Sequence, residues 1–315
     1  MIDVIIVGGG PAGLSAALVL GRSRRRVLLF DAGHPRNAPS KAMHGFLSRD
    51  GMDPAEFLKV SREQLRRYAD VEIRLGEVAT ARSCEDGFEV VMADGTTARS
   101  RMLLLATGIS DTLPDIEAIE RFYGRTVHHC PYCDGWEHRD RPLAVYGRGT
   151  SGLEFAVELL VWSRDLVLCT DGPSELDDIG SKKLACLGVR VIETPIARLE
   201  GDEDQLSGVR FKDGNFLARE ALFFSPQQKQ CNALATQLGC ELNNEEAIEC
   251  GENAATCIPG LFAAGNVSRG LQLVIIAAAE GTQAAFAINQ ALLEVDAAAE
   301  AGMPIEPQPH CPESA

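Results

Sequence analysis

The chain has 315 residues, of which 45% are apolar, 24% charged and 6% aromatic, a globular composition with enough length for two cores. Its net charge of −15 excludes a global attraction for nucleic acid or an anionic bilayer. The acidity is concentrated after Cys240, where eleven carboxylates face the single base Arg269.

The segment from Met1 to Val7 enters an apolar strand without a basic leader region, and the longest apolar run, Leu271 to Ala279, is broken by Glu280 before it could span a bilayer. A cytoplasmic protein with reduced thiols and at most one catalytic disulfide is therefore expected from its ten cysteines. DVIIVGGGPAGLSAALVL predicts a strand, a glycine-rich turn and a helix with small residues on its inner face. Gly8, Gly10 and Gly13 stand in GxGxxG spacing, which serves a tight turn, close approach of a pyrophosphate, and close packing of helix on strand. The next strand, RVLLF, ends at Asp31, eighteen residues after Gly13, where an acid accepts from the hydroxyls of an adenosine ribose. Arg24, Arg25 and Arg26 read as a solvated face, and Asp53 to Arg67 as a polar helix with no evident chemistry.

The pattern recurs in PLAVYGRGTSGLEFAVELL, with Gly147, Gly149 and Gly152 around Thr150 and Ser151, and the following strand ends at Asp171. Two such units predict two Rossmann-like domains, unless the second is a degenerate, empty copy. No Arg or Lys follows Asp171 until Lys182, while Glu175 adds a second carboxylate, so NADPH is disfavoured against NADH or another adenosine dinucleotide. Between the units lies VHHCPYCDGWEHRD. Cys130 and Cys133 have the spacing of a redox disulfide, and Asp134 can move a proton as the thiols turn over. A zinc site using His129 with the two cysteines, or two inert buried thiols, are the alternatives. Cys84, Cys169, Cys186, Cys231 and Cys240 show no pairing pattern and read as reduced fillers. GLQLVIIAAAEGTQAAFAINQALL predicts a long helix interrupted by Glu280 and Gln283, and the tail past Leu293 reads as frayed, with Cys311 as a candidate relay thiol.

The order of Gly8-Gly9-Gly10-Pro11-Ala12-Gly13, Ala106-Thr107-Gly108, Cys130-Pro131-Tyr132-Cys133-Asp134, the second GxGxxG and Gly260-Leu261-Phe262-Ala263-Ala264-Gly265-Asn266-Val267 resembles the low-molecular-weight thioredoxin reductase family of FAD-dependent disulfide oxidoreductases. The resemblance runs from Met1 to about Leu293. It implies an α/β fold of two Rossmann-like three-layer dinucleotide-binding domains, the second inserted in the first. Residues 1–114 and 245–315 would form the FAD domain, and 115–244 the inserted NAD(P)-like domain that carries the CxxC. It also implies a homodimer acting on a small dithiol or disulfide, or on a thioredoxin-like protein, while the charge and the broken apolar run argue against nucleic acid and membrane partners and no metal is expected. Cys133 would face the flavin, Cys130 the substrate, and Asp134 would be the acid–base. FAD contacts carried over by the resemblance are Gly8, Gly10, Pro11, Ala12, Gly13, Asp31, Ala32, His44, Val78, Ala106, Thr107, Gly108, Gly265, Asn266, Gln272 and Leu273. Those of the second dinucleotide are Gly147, Gly149, Thr150, Ser151 and Asp171.

The chain departs from the family at Gly265-Asn266, where Gly-Asp is usual, and at Leu271-Gln272, where Arg-Gln is usual. His44-Gly45-Phe46-Leu47 with Arg49-Asp50-Gly51 resembles a side branch containing dithiol oxidases of fungal toxin pathways and a diflavin bacterial group. These departures keep three further expectations open: a dithiol oxidase that passes electrons to oxygen, a second FAD in the inserted domain, and a flavin redox sensor without turnover.

Overall fold

The computed structural model describes residues 1–251, 253–268 and 270–303, so Arg269 and Cys311 lie outside the described residues. Two units emerge, one from Met1–Ala38, Ala55–Ser110 and the chain from Lys229 onward, the other from Pro39–Pro54 and Asp111–Gln228. The chain thus leaves the first unit within the strand Ile109–Thr112 and returns within Gln227–Gln230.

In the first unit, Ile2–Val7 is central because its apolar run is covered on both faces, with Val4, Ile5 and Ile6 fully buried. The seven-stranded sheet runs Val71–Leu75, Val27–Asp31, Ile2–Val7, Thr97–Leu105, Gly87–Met92, Val78–Cys84, with Leu261–Ala263 also paired to Thr97–Leu105. Val4 pairs with Val27, Val7 with Leu105, and Leu261 with Leu103, all in parallel register. The end strands Gly87–Met92 and Val78–Cys84 are antiparallel. Val4 and Ile6 pack with Leu14, Ala16, Ala284 and Ile288 of two helices, Pro11–Arg22 and Val274–Ala301. Ile5 and Val7 join Phe88, Val90 and Leu261 in a second core.

The two helices touch backbone to side-chain-less backbone: a Cβ added at Gly281 would fall 1.9 Å from the Ala12 carbonyl oxygen. In sequence the helical pattern ends near Leu293, whereas the structure continues it to Ala301. Ala297, Ala298, Ala299 and Glu300 are strong helix formers, and Asp296 binds Arg25 and Arg101 at 2.6 Å each. Gly302, with φ of 63°, closes the end, and the Met303 N–H donates to the Ala298 carbonyl.

The second unit centres on a five-stranded parallel sheet ordered Arg190–Ile192, Leu166–Cys169, Leu143–Tyr146, Ala221–Phe224, Val127–His128. One face, including Leu143, Val145 and Phe223, packs with Ala156, Leu159 and Leu184 of the helices Gly149–Leu159 and Asp178–Cys186. The other face, including Ala144, Val167 and Phe224, packs with Leu199, Val209 and Leu217 of an antiparallel three-stranded sheet. Both units are thus Rossmann-like layered α/β structures, as expected. Among the described residues no helix is long and apolar enough to cross a membrane.

Gly281→Ala is expected to destabilise the protein by about 1–3 kcal/mol through backbone separation, whereas Gly251→Ala, whose added methyl meets nothing within 4 Å, should change stability by less than about 0.5 kcal/mol. Urea unfolding of the two variants checks the contrast.

Candidate active site

The glycine turn of the first unit is fixed by close backbone contacts. An added Cβ at Gly8 would lie 2.1 Å from the Ala106 carbonyl, and one at Gly13 would lie 1.9 Å from that of Gly8. Gly10 differs, since nothing stands within 4 Å of the place its Cβ would take. No side chain caps the helix that begins at Pro11 and Ala12, which leaves its first amide N–H groups for an anion.

Asp31 closes the neighbouring strand and is 7% exposed. Its Oδ1 accepts from the Gly33 N–H at 2.9 Å, and its Oδ2 accepts from Arg62 at 2.6 Å. A Cβ at Gly9 would fall 2.2 Å from that carboxylate, so glycine there admits the acid beside the loop. Arg62 comes from Pro54–Leu65, the helix that showed no chemistry in sequence. Its Nε is buried without a hydrogen-bond partner. An open glycine face, an uncapped helix, a strand-end acid and an orphaned donor fit the adenosine pyrophosphate half of FAD.

The other predicted FAD residues of the first unit divide between this turn and its surroundings. The Thr107 hydroxyl donates to the Cys231 carbonyl at 2.6 Å, and Gly108 takes a φ of 68° with open space around it. The Gly265 N–H donates to the buried Glu280 carboxylate at 2.8 Å, and the Cβ of Ala12 lies 3.0 Å from the position a Gly265 Cβ would take. Gln272 accepts from Arg36 at 2.6 Å, Leu273 caps Val274–Ala301 without a side-chain bond, and Asn266 next to Gly265 is half-buried. Val78 is a buried core residue, and Ala32 is exposed beyond Asp31. His44 belongs to the second unit, where it lies 3.4 Å from Asp50 and 3.7 Å from Glu137.

The second glycine turn keeps the packing of the first: a Cβ at Gly152 would lie 2.7 Å from the Gly147 carbonyl carbon. Its open face differs. The Gly149 N–H donates to the Ser174 carbonyl at 2.8 Å, and the Glu175 carbonyl oxygen lies 3.8 Å from the position of a Gly149 Cβ. The Ser151 hydroxyl donates to the Arg148 carbonyl, beside Thr150 in the first helical turn. Arg148, inside the motif, lays its guanidinium on the Thr170 and Asp171 carbonyls, with the Asp171 and Glu175 carboxylates 3.9 Å away. Asp171 also accepts from the Ile196 N–H at 2.6 Å. A cation therefore does stand at this strand end. It arrives from the glycine loop and not from the residues after Asp171.

Cys130 and Cys133 form a disulfide with a Cα separation of 5.2 Å, on the one-turn helix Pro131–Asp134. The Cys133 N–H donates to the Cys130 sulfur at 3.2 Å. Tyr132 and Trp136 project into solvent beside the pair, Tyr132 edge-on to Trp162 and Trp136 beneath the Arg139 guanidinium at 4.1 Å. Asp134 Oδ1 lies 3.2 Å from Nδ1 of the buried His128, whose Nε2 lies 3.0 Å from His138 Nε2. Burial, and secondly the neighbouring His128, pushes the His138 imidazole down to about 4. His129 instead bonds the Tyr123 hydroxyl at 3.0 Å. Among the described residues no three His, Cys, Asp or Glu side chains are placed so that they could hold a metal ion. His138 and Arg148 carried no signal in sequence beyond their residue type, whereas Glu280 was visible as a lone carboxylate on a small, apolar helix face.

The Thioredoxin reductase sirT of Leptosphaeria maculans is 31% identical over 314 residues, covering 94% of this chain and 96% of its own. A Probable thioredoxin reductase of Arthroderma benhamiae is 36% identical over 176 residues, 54% of this chain, and the match spans less than half of that relative, 44%. The crystal structure of HlmI superposes with a TM-score of 0.92 at 40% identity, covering 96% of this chain and 95% of that one. Residues 2–281 match the model of the family described as Pyridine nucleotide-disulphide oxidoreductase. Since that match takes in both glycine turns and the disulfide between them, the chain belongs to this family, as a thioredoxin reductase-like, flavin-dependent disulfide oxidoreductase.

Proposed function

We propose that the protein passes an electron pair between FAD and a substrate disulfide or dithiol through Cys130 and Cys133, with Cys133 facing the flavin and Cys130 the substrate. The observation that carries this reading is the Cys130–Cys133 disulfide on a helical turn that also holds Asp134. FAD, when bound, supplies a two-electron donor and acceptor. The residues of the chain do the rest. The first glycine turn and the uncapped helix at Pro11 hold the pyrophosphate, and Asp31 with Arg62 orients the adenosine end. The Cys133 N–H on the Cys130 sulfur favours a thiolate there, suited to attack a substrate disulfide or to leave from a mixed one. Asp134 gives or takes the thiol proton. The substrate is a small dithiol or disulfide, or a thioredoxin-like protein, met by a homodimer.

A second reading concerns direction: dithiol oxidation with oxygen as the final acceptor. It is favoured by the second glycine turn, where the Gly149 N–H is taken by Ser174 and the Glu175 segment adds negative charge. A pyrophosphate arriving there, from a nicotinamide dinucleotide or a second FAD, would have to displace the Ser174 carbonyl from the Gly149 N–H and would meet Arg148 already paired with the Asp171 and Glu175 carboxylates.

Cys133→Ser is expected to retain its yellow colour and to lose dithiothreitol oxidation and disulfide reduction, and Asp134→Asn to lower both by roughly 10²-fold. Full activity in the serine variant would refute the reading. For direction, air-saturated dithiothreitol without nicotinamide should yield peroxide, stopped-flow mixing with NADH or NADPH should bleach the flavin only slowly, and denaturation should release about one flavin per chain. Rapid bleaching by either nucleotide would sink the oxidase version and leave the reductase.

A further inference from the structure

Making or breaking a disulfide adds or removes protons at sulfur, so an acid–base group beside the pair must exchange its proton with water in each half-reaction. Asp134 sits next to Cys133, and behind it two imidazoles follow in hydrogen-bonding distance: His128 Nδ1 at 3.2 Å from Asp134 Oδ1, then His138 Nε2 at 3.0 Å from His128 Nε2. His128 is only 4% exposed, with the Phe223 ring 5.3 Å from its own, while His138 is half-buried at the far end. We infer that Asp134, His128 and His138 form a proton wire between the redox thiols and solvent, His128 and His138 acting through Asp134. The inference rests on the reading of Asp134 as the acid–base of the redox pair.

With Asp134 ionised, His128 carries its proton on Nδ1 and accepts at Nε2, so His138 must donate from Nε2 and keep a bare Nδ1. A proton entering at His138 Nδ1 sends the Nε2 proton of His138 to His128, and the Nδ1 proton of His128 to Asp134. Three N–H or O–H bonds form and three break, counting the donor water, and no electron moves along the wire. Asp134 is then the acid that protonates a leaving thiolate. When the thiols are oxidised again the hops reverse, and both rings regain their first tautomers.

The groups facing His138 are His128 from the strand Val127–His128, Asp134 from Pro131–Asp134 and Arg141 ahead of Leu143–Tyr146, with the Phe223 ring edge-on at 6.0 Å. Burial first, then His128 and Arg141, hold its imidazole down near 4 against the opposite pull of Asp134. His138 is therefore neutral at physiological pH and keeps one donor and one acceptor, the form a wire needs.

The test is anaerobic stopped-flow reduction of the bound flavin by dithiothreitol in the holoprotein. His138→Gln is expected to slow it by ~10-fold or more, the scale of a lost proton-transfer group. Its rate should become dependent on buffer concentration, and added imidazole should restore it. His128→Gln, at the buried position, should gain the same buffer dependence. A His138→Gln protein with the wild-type rate, insensitive to buffer and imidazole, overturns the wire, as does a slow variant that neither buffer nor imidazole accelerates. Cys133→Ser separates the two failures: flavin reduction that survives in it overturns the redox-pair reading and the wire together, and its loss leaves the wire to be judged on the histidines.

Discussion

The first unit depends on backbone approaching backbone with no side chain between. At Gly8, Gly13 and Gly281 an added Cβ would come within 2.1 Å of a carbonyl oxygen, those of Ala106, Gly8 and Ala12. These contacts draw together the end of the first strand, the first helix, the end of Thr97–Leu105 and the last helix. The Glu280 carboxylate, one residue before Gly281, can then reach the Gly265 N–H, and Gly265 comes against Ala12. A cradle is assembled from chain segments more than 250 residues apart because three glycines remove the spacing that side chains would impose.

The same turn in the second unit shows what a glycine motif does and does not report. Gly147 and Gly152 meet as tightly as the turn requires, so the spacing persists for packing reasons alone. Whether a phosphate fits depends on the outer face. At Gly10 that face is open, and at Gly149 the Ser174–Glu175 segment and Arg148 have moved onto it. The glycines thus report the packing of turn on helix, while the charge and openness of the outer face are set by Arg148 and the loop after Asp171.

The strands, the two turns and the cysteine pair were legible in sequence because each is written in contiguous residues whose periodicity or spacing has one dominant physical cause. The side-chain partnerships were not. Arg62 meets Asp31 across 31 residues, Glu280 meets Gly265 across 15, Arg148 meets Thr170 across 22, and His128 meets His138 across 10. None of these intervals is a helical or strand repeat, so each depends on how elements pack. The end of the last helix at Ala301 is not legible in composition for a related reason. Its final turns look like a solvated tail in composition, yet Asp296 is held by Arg25 and Arg101 from elsewhere in the unit. The cation at Asp171 comes from within the turn and not from the downstream residues where such arginines are usual.

The two units thus use polar groups in different ways. In the first, backbone N–H groups and a strand-end acid present fixed dipoles to a phosphate-bearing ligand, and little there needs to change protonation. In the second, the polar side chains surround a sulfur pair whose charge and proton count both change with oxidation state. Burying an imidazole is costly unless its nitrogens find polar partners, and here His128 has the Asp134 carboxylate 3.2 Å from one nitrogen and His138 3.0 Å from the other. Such a set of polar groups is weak evidence of a contribution to stability. Its presence beside the only disulfide among the described residues is therefore better accounted for by the chemistry of the sulfurs than by the fold.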